Sequence, residues 1–179
     1  MSRVFLTGFM GCGKSVTGAL LASRLSVEFI DLDDRIVTMA GCSIAEIFSK
    51  RGEAAFRELE SAALRSLPNG VVCALGGGTF MDPENRAWAL SKAQVLYLRV
   101  GVPELVRRLR ADKTVRPLLQ DQEGRPLAVA QMEDRIRCML EHREPIYQQA
   151  HLTLNVDGVT PEVAADKCWE AYRSRNVRR

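Results

Sequence analysis

Gly8-Phe9-Met10-Gly11-Cys12-Gly13-Lys14-Ser15 follows the order GxxxxGK[ST], a set of residue types suited to holding phosphate. Glycines let backbone N–H groups close around phosphate oxygens, and a helix starting at the lysine adds the positive end of its dipole. In this pattern Lys14 reaches the β and γ phosphates of a nucleoside triphosphate, and Ser15 offers its hydroxyl to magnesium. The run lies between an apolar stretch and one of helical period, the context such a phosphate loop requires. The alternative is a glycine-rich turn without a ligand.

A phosphate loop specifies a nucleotide and leaves the reaction open. The guanine-reading NKxD segment of GTPases has no counterpart in the chain, which turns the reading toward phosphotransferases. The next apolar stretch ends in Asp31-Leu32-Asp33-Asp34. In an extended segment Asp31 and Asp33 point to one side, about 7 Å apart, at the carboxyl end of a strand where α/β ligands bind. One carboxylate can then lie near a metal while the other faces a second substrate. The competing reading has Asp33 or Asp34 capping a helix that enters at Arg35.

Glu53, Arg57 and Glu60 share one helix face. A surface ion pair is the plain account, but such pairs contribute only ~0.3–0.5 kcal/mol and give little reason for this set. Gly76-Gly77-Gly78 follows an apolar strand at once, where a backbone can come close to a ligand; a flexible turn is the alternative. Residues 112–127 hold Lys113, Arg116, Pro117, Gly124, Arg125 and Pro126 without clean periodicity. A polar insertion of this kind in an α/β domain reads as a functional lid, or else as a surface loop.

The elements that must position these residues follow from the hydrophobic pattern. Short apolar runs at 4–7, 28–32, 71–75, 95–100 and 152–156 predict strands. Stretches at 14–25, 44–49, 53–67, 83–91, 103–111, 129–150 and 161–173 predict helices. The alternation is that of βαβ units around a parallel sheet, an α/β fold. With 179 residues, 46% of them hydrophobic, a single domain spanning 1–179 with one substantial core is expected. Five cysteines without a CxxC pair point to a reducing compartment. No signal-peptide pattern and no run near the ~20 apolar residues of a membrane span is present, so a cytoplasmic protein without membrane contact is expected.

Taken in order, the GxxGxGKS loop, the Asp31/Asp33 pair, Ser43-Ile44-Ala45-Glu46-Ile47-Phe48, Gly52-Glu53 leading to Phe56-Arg57, the glycine triplet, Arg116-Pro117-Leu118-Leu119, and Arg143 four residues before Tyr147 resemble the shikimate kinase family. That family moves the γ-phosphate of ATP to the 3-hydroxyl of shikimate in chorismate and aromatic amino-acid biosynthesis. The resemblance implies a three-layer P-loop NTPase fold of nucleoside-monophosphate-kinase type, with a five-stranded parallel sheet in order 2-3-1-4-5 and a mobile lid at about 112–127. It implies that Gly11, Cys12, Gly13, Lys14, Ser15 and Val16 bind ATP, joined by Arg116 from the lid. Ser15 and Asp31, the latter through water, would hold Mg²⁺. Asp33 would accept a hydrogen bond from the attacking hydroxyl, Arg57 and Arg143 would bind the shikimate carboxylate, and Gly77 would offer its N–H. Phe48 and Phe56 would wall the ring. Lys14, Asp33 and Arg116 are the expected catalytic residues, in a monomer.

Shikimate is small, hydroxylated and anionic, so bidentate arginines suit it. Three other readings carry distinct expectations. A P-loop kinase of gluconate or a nucleoside monophosphate would need a different acceptor pocket. A non-catalytic nucleotide-binding module would have lost Lys14, Ser15, Asp31, Asp33 or Arg57, and all are present. A nucleic-acid binder would show a basic stripe with interleaved aromatics. The formal charge is +3, yet Arg173, Arg175, Arg178 and Arg179 crowd the last seven residues, and the remainder carries −1. The basic balance therefore belongs to an end expected to fray, and no nucleic-acid partner is expected. Arg108 and Arg110, just before the lid, read either as reaching the nucleotide or as an exposed helix face, while His142, His151, Trp88 and Trp169 read as structural or surface residues.

Overall fold

Strands with both faces covered must be apolar throughout, and the middle of the sheet meets that condition. In the computed structural model, which describes residues 3–112, 114 and 116–176, β1 (Arg3–Thr7), β3 (Val71–Ala74) and β4 (Ala93–Arg99) are buried along nearly their whole length. β2 (Glu28–Asp31) and β5 (Leu152–Asn155) form the half-exposed edges. All five pair in parallel in the order β2-β3-β1-β4-β5. Leu6 stands in register with Ala74 on one side and Leu96 on the other, so β1 delivers the loop that follows it to the centre of the carboxyl edge.

Around the sheet lie α1 (Lys14–Leu25), α2 (Leu32–Ala40), α3 (Ile44–Arg65), α4 (Pro83–Lys92), α5 (Val102–Ala111), α6 (Val129–Tyr147) and α7 (Pro161–Asn176). The two helices expected at 44–49 and 53–67 run together as α3, with Gly52 at the joint in the left-handed region, φ 79°. That conformation costs glycine little and other residues more. A capping box opens α3: Glu46 N–H donates to Ser43 Oγ, and Ser43 N–H donates to Glu46 Oε2.

One local expectation needs correction. Strand β2 stops at Asp31, one residue short of the expected 28–32, and a helix not among those expected, α2, begins at Leu32, three residues before the Arg35 entry of the competing reading. Asp31 itself caps the helix, its Oδ1 accepting from Asp33 N–H at 3.1 Å. Asp33 thus sits in a first helical turn and not in extended chain.

Between α5 and α6, the 3-10 turn Pro117–Leu119 buries Leu119 in the core. A small antiparallel bridge joins Gln120 to Pro126 around a turn knotted by Asp121, which accepts from Glu123 N–H, Arg125 N–H and Arg125 Nε. Lys113 lies outside the described residues, as do Arg178 and Arg179 of the expected frayed end. The helical backbone of α7 continues to Asn176, and Arg173 lies 4.4 Å over the Trp169 ring. Among the described residues no helix is long and apolar enough to cross a membrane.

Candidate active site

The loop from Gly8 to Gly13 turns the chain from β1 into α1. Gly13 takes φ 95° at the helix N-cap and supplies no side-chain cap, so the first N–H groups of α1 are left to face a ligand. Lys14 folds along the loop, its Nζ donating to Gly8 O at 2.9 Å and Phe9 O at 3.1 Å. Ser15 Oγ, one residue on, donates to Asp31 Oδ2 at 2.6 Å. The phosphate loop and the end of β2 are therefore joined.

A cleft of about 450 Å³ opens beside the loop, lined by Gly11, Cys12, Gly13 and Val16 together with Arg108 and the turn after β5. Its volume falls in the range of small-molecule sites. Arg108, for which the sequence leaves open a reach to the nucleotide or an exposed helix face, spans this cleft. It donates from Nη1 to Cys12 O at 3.2 Å and from Nη2 to Val156 O at 2.9 Å, while Glu104 holds Nε at 2.6 Å. The partners lie 96 and 48 residues away, so the position of Arg108 before the expected lid suggests a reach to the nucleotide but not these two carbonyls.

Asp33 lies beside the glycine triplet: a Cβ on Gly76 would come within 2.7 Å of Asp33 Oδ1. Burial pushes the Asp33 carboxyl up to about 6, the Asp31 charge adds to the rise, and Lys14 opposes it. The other two glycines face arginines. A Cβ on Gly78 would lie 2.8 Å from Arg57 Nη1, and one on Gly77 would lie 3.8 Å from Arg143 Nη1. The three glycines thus form a main-chain floor on which Asp33, Arg143 and Arg57 converge.

Arg57 does more than form a surface pair. Its Nη1 donates to Glu60 Oε2 at 2.9 Å and its Nη2 to Glu53 Oε1 at 3.1 Å. Glu60 is only 1% exposed, and its other oxygen accepts from Thr79 Oγ1 at 2.6 Å. This buried anchor across the triplet was legible only as a shared helix face; Thr79 gave no sequence signal. Of the five guanidinium N–H groups of Arg57, three remain for a ligand. Phe48 and Phe56 stack at 4.7 Å on either side of the Gly52 joint.

Arg116 is engaged elsewhere, its Nη2 donating to Asp112 Oδ2 at 2.7 Å. Thr114 and Arg116 together hold the Asp112 carboxyl well below its usual range. His151 serves the sheet, its Nδ1 accepting from Val95 N–H at 3.0 Å, and His142 Nδ1 meets Cys138 O. None of the described residues forms a cluster of three or more metal-binding side chains.

The shikimate kinase family model matches residues 10–173. A shikimate kinase of Salinibacter ruber is 46% identical over 163 residues, covering 90% of this chain and 80% of that protein. A solved shikimate kinase from Bacteroides thetaiotaomicron superposes with a TM-score of 0.86 at 35% identity, over 96% of this chain and 98% of that one. Another, from Acinetobacter baumannii in complex with shikimate, gives 0.85 at 32% identity, over 98% and 94%.

Proposed function

The chain belongs to the shikimate kinase family and is an ATP-dependent small-molecule kinase, and we propose that it phosphorylates the 3-hydroxyl of shikimate through the residues gathered at the carboxyl edge of its sheet. The products are shikimate 3-phosphate and ADP, in the route to aromatic amino acids. The observation that carries the residue assignment is the convergence of Asp33, Arg57 and Arg143 on the glycine triplet, beside the phosphate loop.

On the donor side, Gly11, Cys12, Gly13 and Val16 line the cleft, and the uncapped start of α1 presents N–H groups to the phosphates. Lys14 exchanges the carbonyls of Gly8 and Phe9 for phosphate oxygens. Ser15 and Asp31 offer paired hard oxygens, a donor set that fits Mg²⁺, which commonly takes one or two protein oxygens and completes its shell with water and phosphate. The ion, when bound, offsets negative charge on the phosphates.

On the acceptor side, Arg57 and Arg143 grip the carboxylate while Phe48 and Phe56 wall the ring. Gly77 supplies a backbone N–H. Asp33, ionised above about pH 6, accepts a hydrogen bond from the attacking hydroxyl and turns a lone pair toward phosphorus. A hydroxyl is too weak an acid to ionise first, so its proton reaches Asp33 as the bond to phosphorus forms.

Segment 112–127 acts as the lid, with Arg116 passing from Asp112 to the phosphates on closure. Closure matters because water competes as nucleophile. A monomer working in the cytoplasm completes the reading; the five cysteines are free thiols, as a reducing compartment keeps them.

A coupled ADP-release assay with Mg²⁺-ATP across shikimate, gluconate and nucleoside monophosphates tests the proposal. Turnover with shikimate alone is expected; turnover with another acceptor and none with shikimate overturns it.

A further inference from the structure

Tyr147 ends α6 and is fully buried, its ring stacked on Tyr97 with centroids 5.2 Å apart. Its hydroxyl donates to Gly77 O at 3.0 Å, across 70 residues of chain. A ring that packs this well needs no hydroxyl for its stacking. A buried phenol needs a partner, and the one it has found is the middle glycine of the acceptor floor.

Three consecutive glycines have the widest backbone freedom a chain can have. Gly76 and Gly78 are hemmed by Asp33 Oδ1 and the Arg57 guanidinium, whereas Gly77 has only Arg143 Nη1 near it, at 3.8 Å from where a Cβ would lie. The bond from Tyr147 restrains this loosest point. Among the described residues no peptide is cis, so holding Gly77 C=O against α6 turns the Gly78 N–H the opposite way and, by anchoring the Gly77 backbone, narrows the directions open to the Gly77 N–H, the donor assigned to the substrate. Arg143 lies one turn earlier on the same helix. The Arg143 guanidinium beside the phenol works against burial, which nevertheless pushes Tyr147 up to about 12, so the hydroxyl keeps its proton and remains a donor.

Resting on the acceptor assignment above, we infer that Tyr147 is a positioning residue for the acceptor, its hydroxyl locking the Gly77 peptide in register with Arg143 so that backbone and guanidinium donors meet the substrate together. Removing the hydroxyl loosens the acceptor side and leaves the ATP cleft, whose lining includes neither Tyr147 nor the glycine triplet, as it was.

Tyr147→Phe keeps the ring and deletes the bond. The expected result is a shikimate KM raised about five- to ten-fold with the ATP KM changed by less than about two-fold. Tyr97→Phe, which removes the hydroxyl of the stacking partner, leaves both constants where they are. An unchanged shikimate KM, or equal rises in both KM values, overturns the inference, because a purely structural loss does not distinguish the two substrates. If Tyr147→Phe fails to fold, a ring-fluorinated tyrosine at 147 retains shape while altering the hydroxyl; a shikimate KM that ignores it overturns the inference as well. If the parent protein turns over a different acceptor, the functional reading fails by itself, and the same split is then read with that acceptor.

Discussion

Ser15 Oγ donates to Asp31 Oδ2 at 2.6 Å, tying the first turn of α1 to the end of β2. If this pair holds the metal, Ser15→Ala and Asp31→Asn each raise the Mg²⁺ concentration for half-maximal rate by about ten-fold or more. Asn caps a helix as well as Asp does, so Asp31→Asn tests the charge without unfastening α2. Rate against Mg²⁺ at fixed ATP is the measurement, and an unmoved midpoint in both variants removes the pair from the metal site.

Asp33 links activity to stability with opposite signs. Its carboxyl is raised to about 6 in the fold from an ordinary 3.8, so the folded state holds an extra proton between those values and loses stability as pH rises through them. Parent kcat/KM is expected to climb through about pH 6. Asp33→Asn abolishes most turnover, yet gains stability relative to the parent on going from pH 4 to pH 7, on the order of 2 kcal/mol. Melting curves at the two pH values check this; a constant difference in Tm would show that burial is not what shifts the group.

Lys14→Ala should lower kcat by roughly two to three orders of magnitude, the scale for losing one preorganised donor to developing charge. Far-UV circular dichroism should stay the same, since among the described residues Lys14 bonds to loop carbonyls and, loosely, to Cys12 Sγ. Retained turnover would refute the phosphate role.

Arg57→Ala and Arg143→Ala should each raise the shikimate KM by about 2 kcal/mol equivalent, roughly thirty-fold, with ATP KM little affected. The two should differ in Tm. Removing Arg57 leaves the buried Glu60 carboxylate with Thr79 alone, so that variant melts lower. Equal melting temperatures would show that Glu60 does not depend on Arg57.

Within the glycine triplet the cost of a methyl group is uneven. Gly76→Ala drives a Cβ to 2.7 Å from Asp33 Oδ1, whereas Gly77→Ala meets nothing nearer than 3.8 Å. The first should cut kcat by about a hundred-fold and the second by less than ten-fold. Comparable losses in both would mean that the close approach to Asp33 is not the constraint.

Strands β1, β3 and β4 were legible because their burial on both faces demands uninterrupted apolar runs, and their ends shifted by only one or two residues. Helix α2 is absent from the helices the periodicity predicts and enters only as the competing account of Asp33 and Asp34: it opens with Leu32-Asp33-Asp34-Arg35 and leaves Val37 and Met39 exposed, which blurs an apolar stripe. The phosphate loop carries its chemistry in adjacent residues and reads directly. Glu60 with Thr79, Arg108 with Val156 and Tyr147 with Gly77 lie on separate elements. Only the folded sheet brings these pairs together, and residue type alone does not predict them.

Arg108 touches both rims of the cleft beside the phosphate loop with one planar group. The gap between Cys12 and Val156 is thereby gauged by the fixed width of a guanidinium, and the side chain works as a strut. If the phosphoryl donor enters this cleft as proposed, a head group wider than that gap is expected to break the strut before it binds, which would make selectivity on the donor side a matter of dimension.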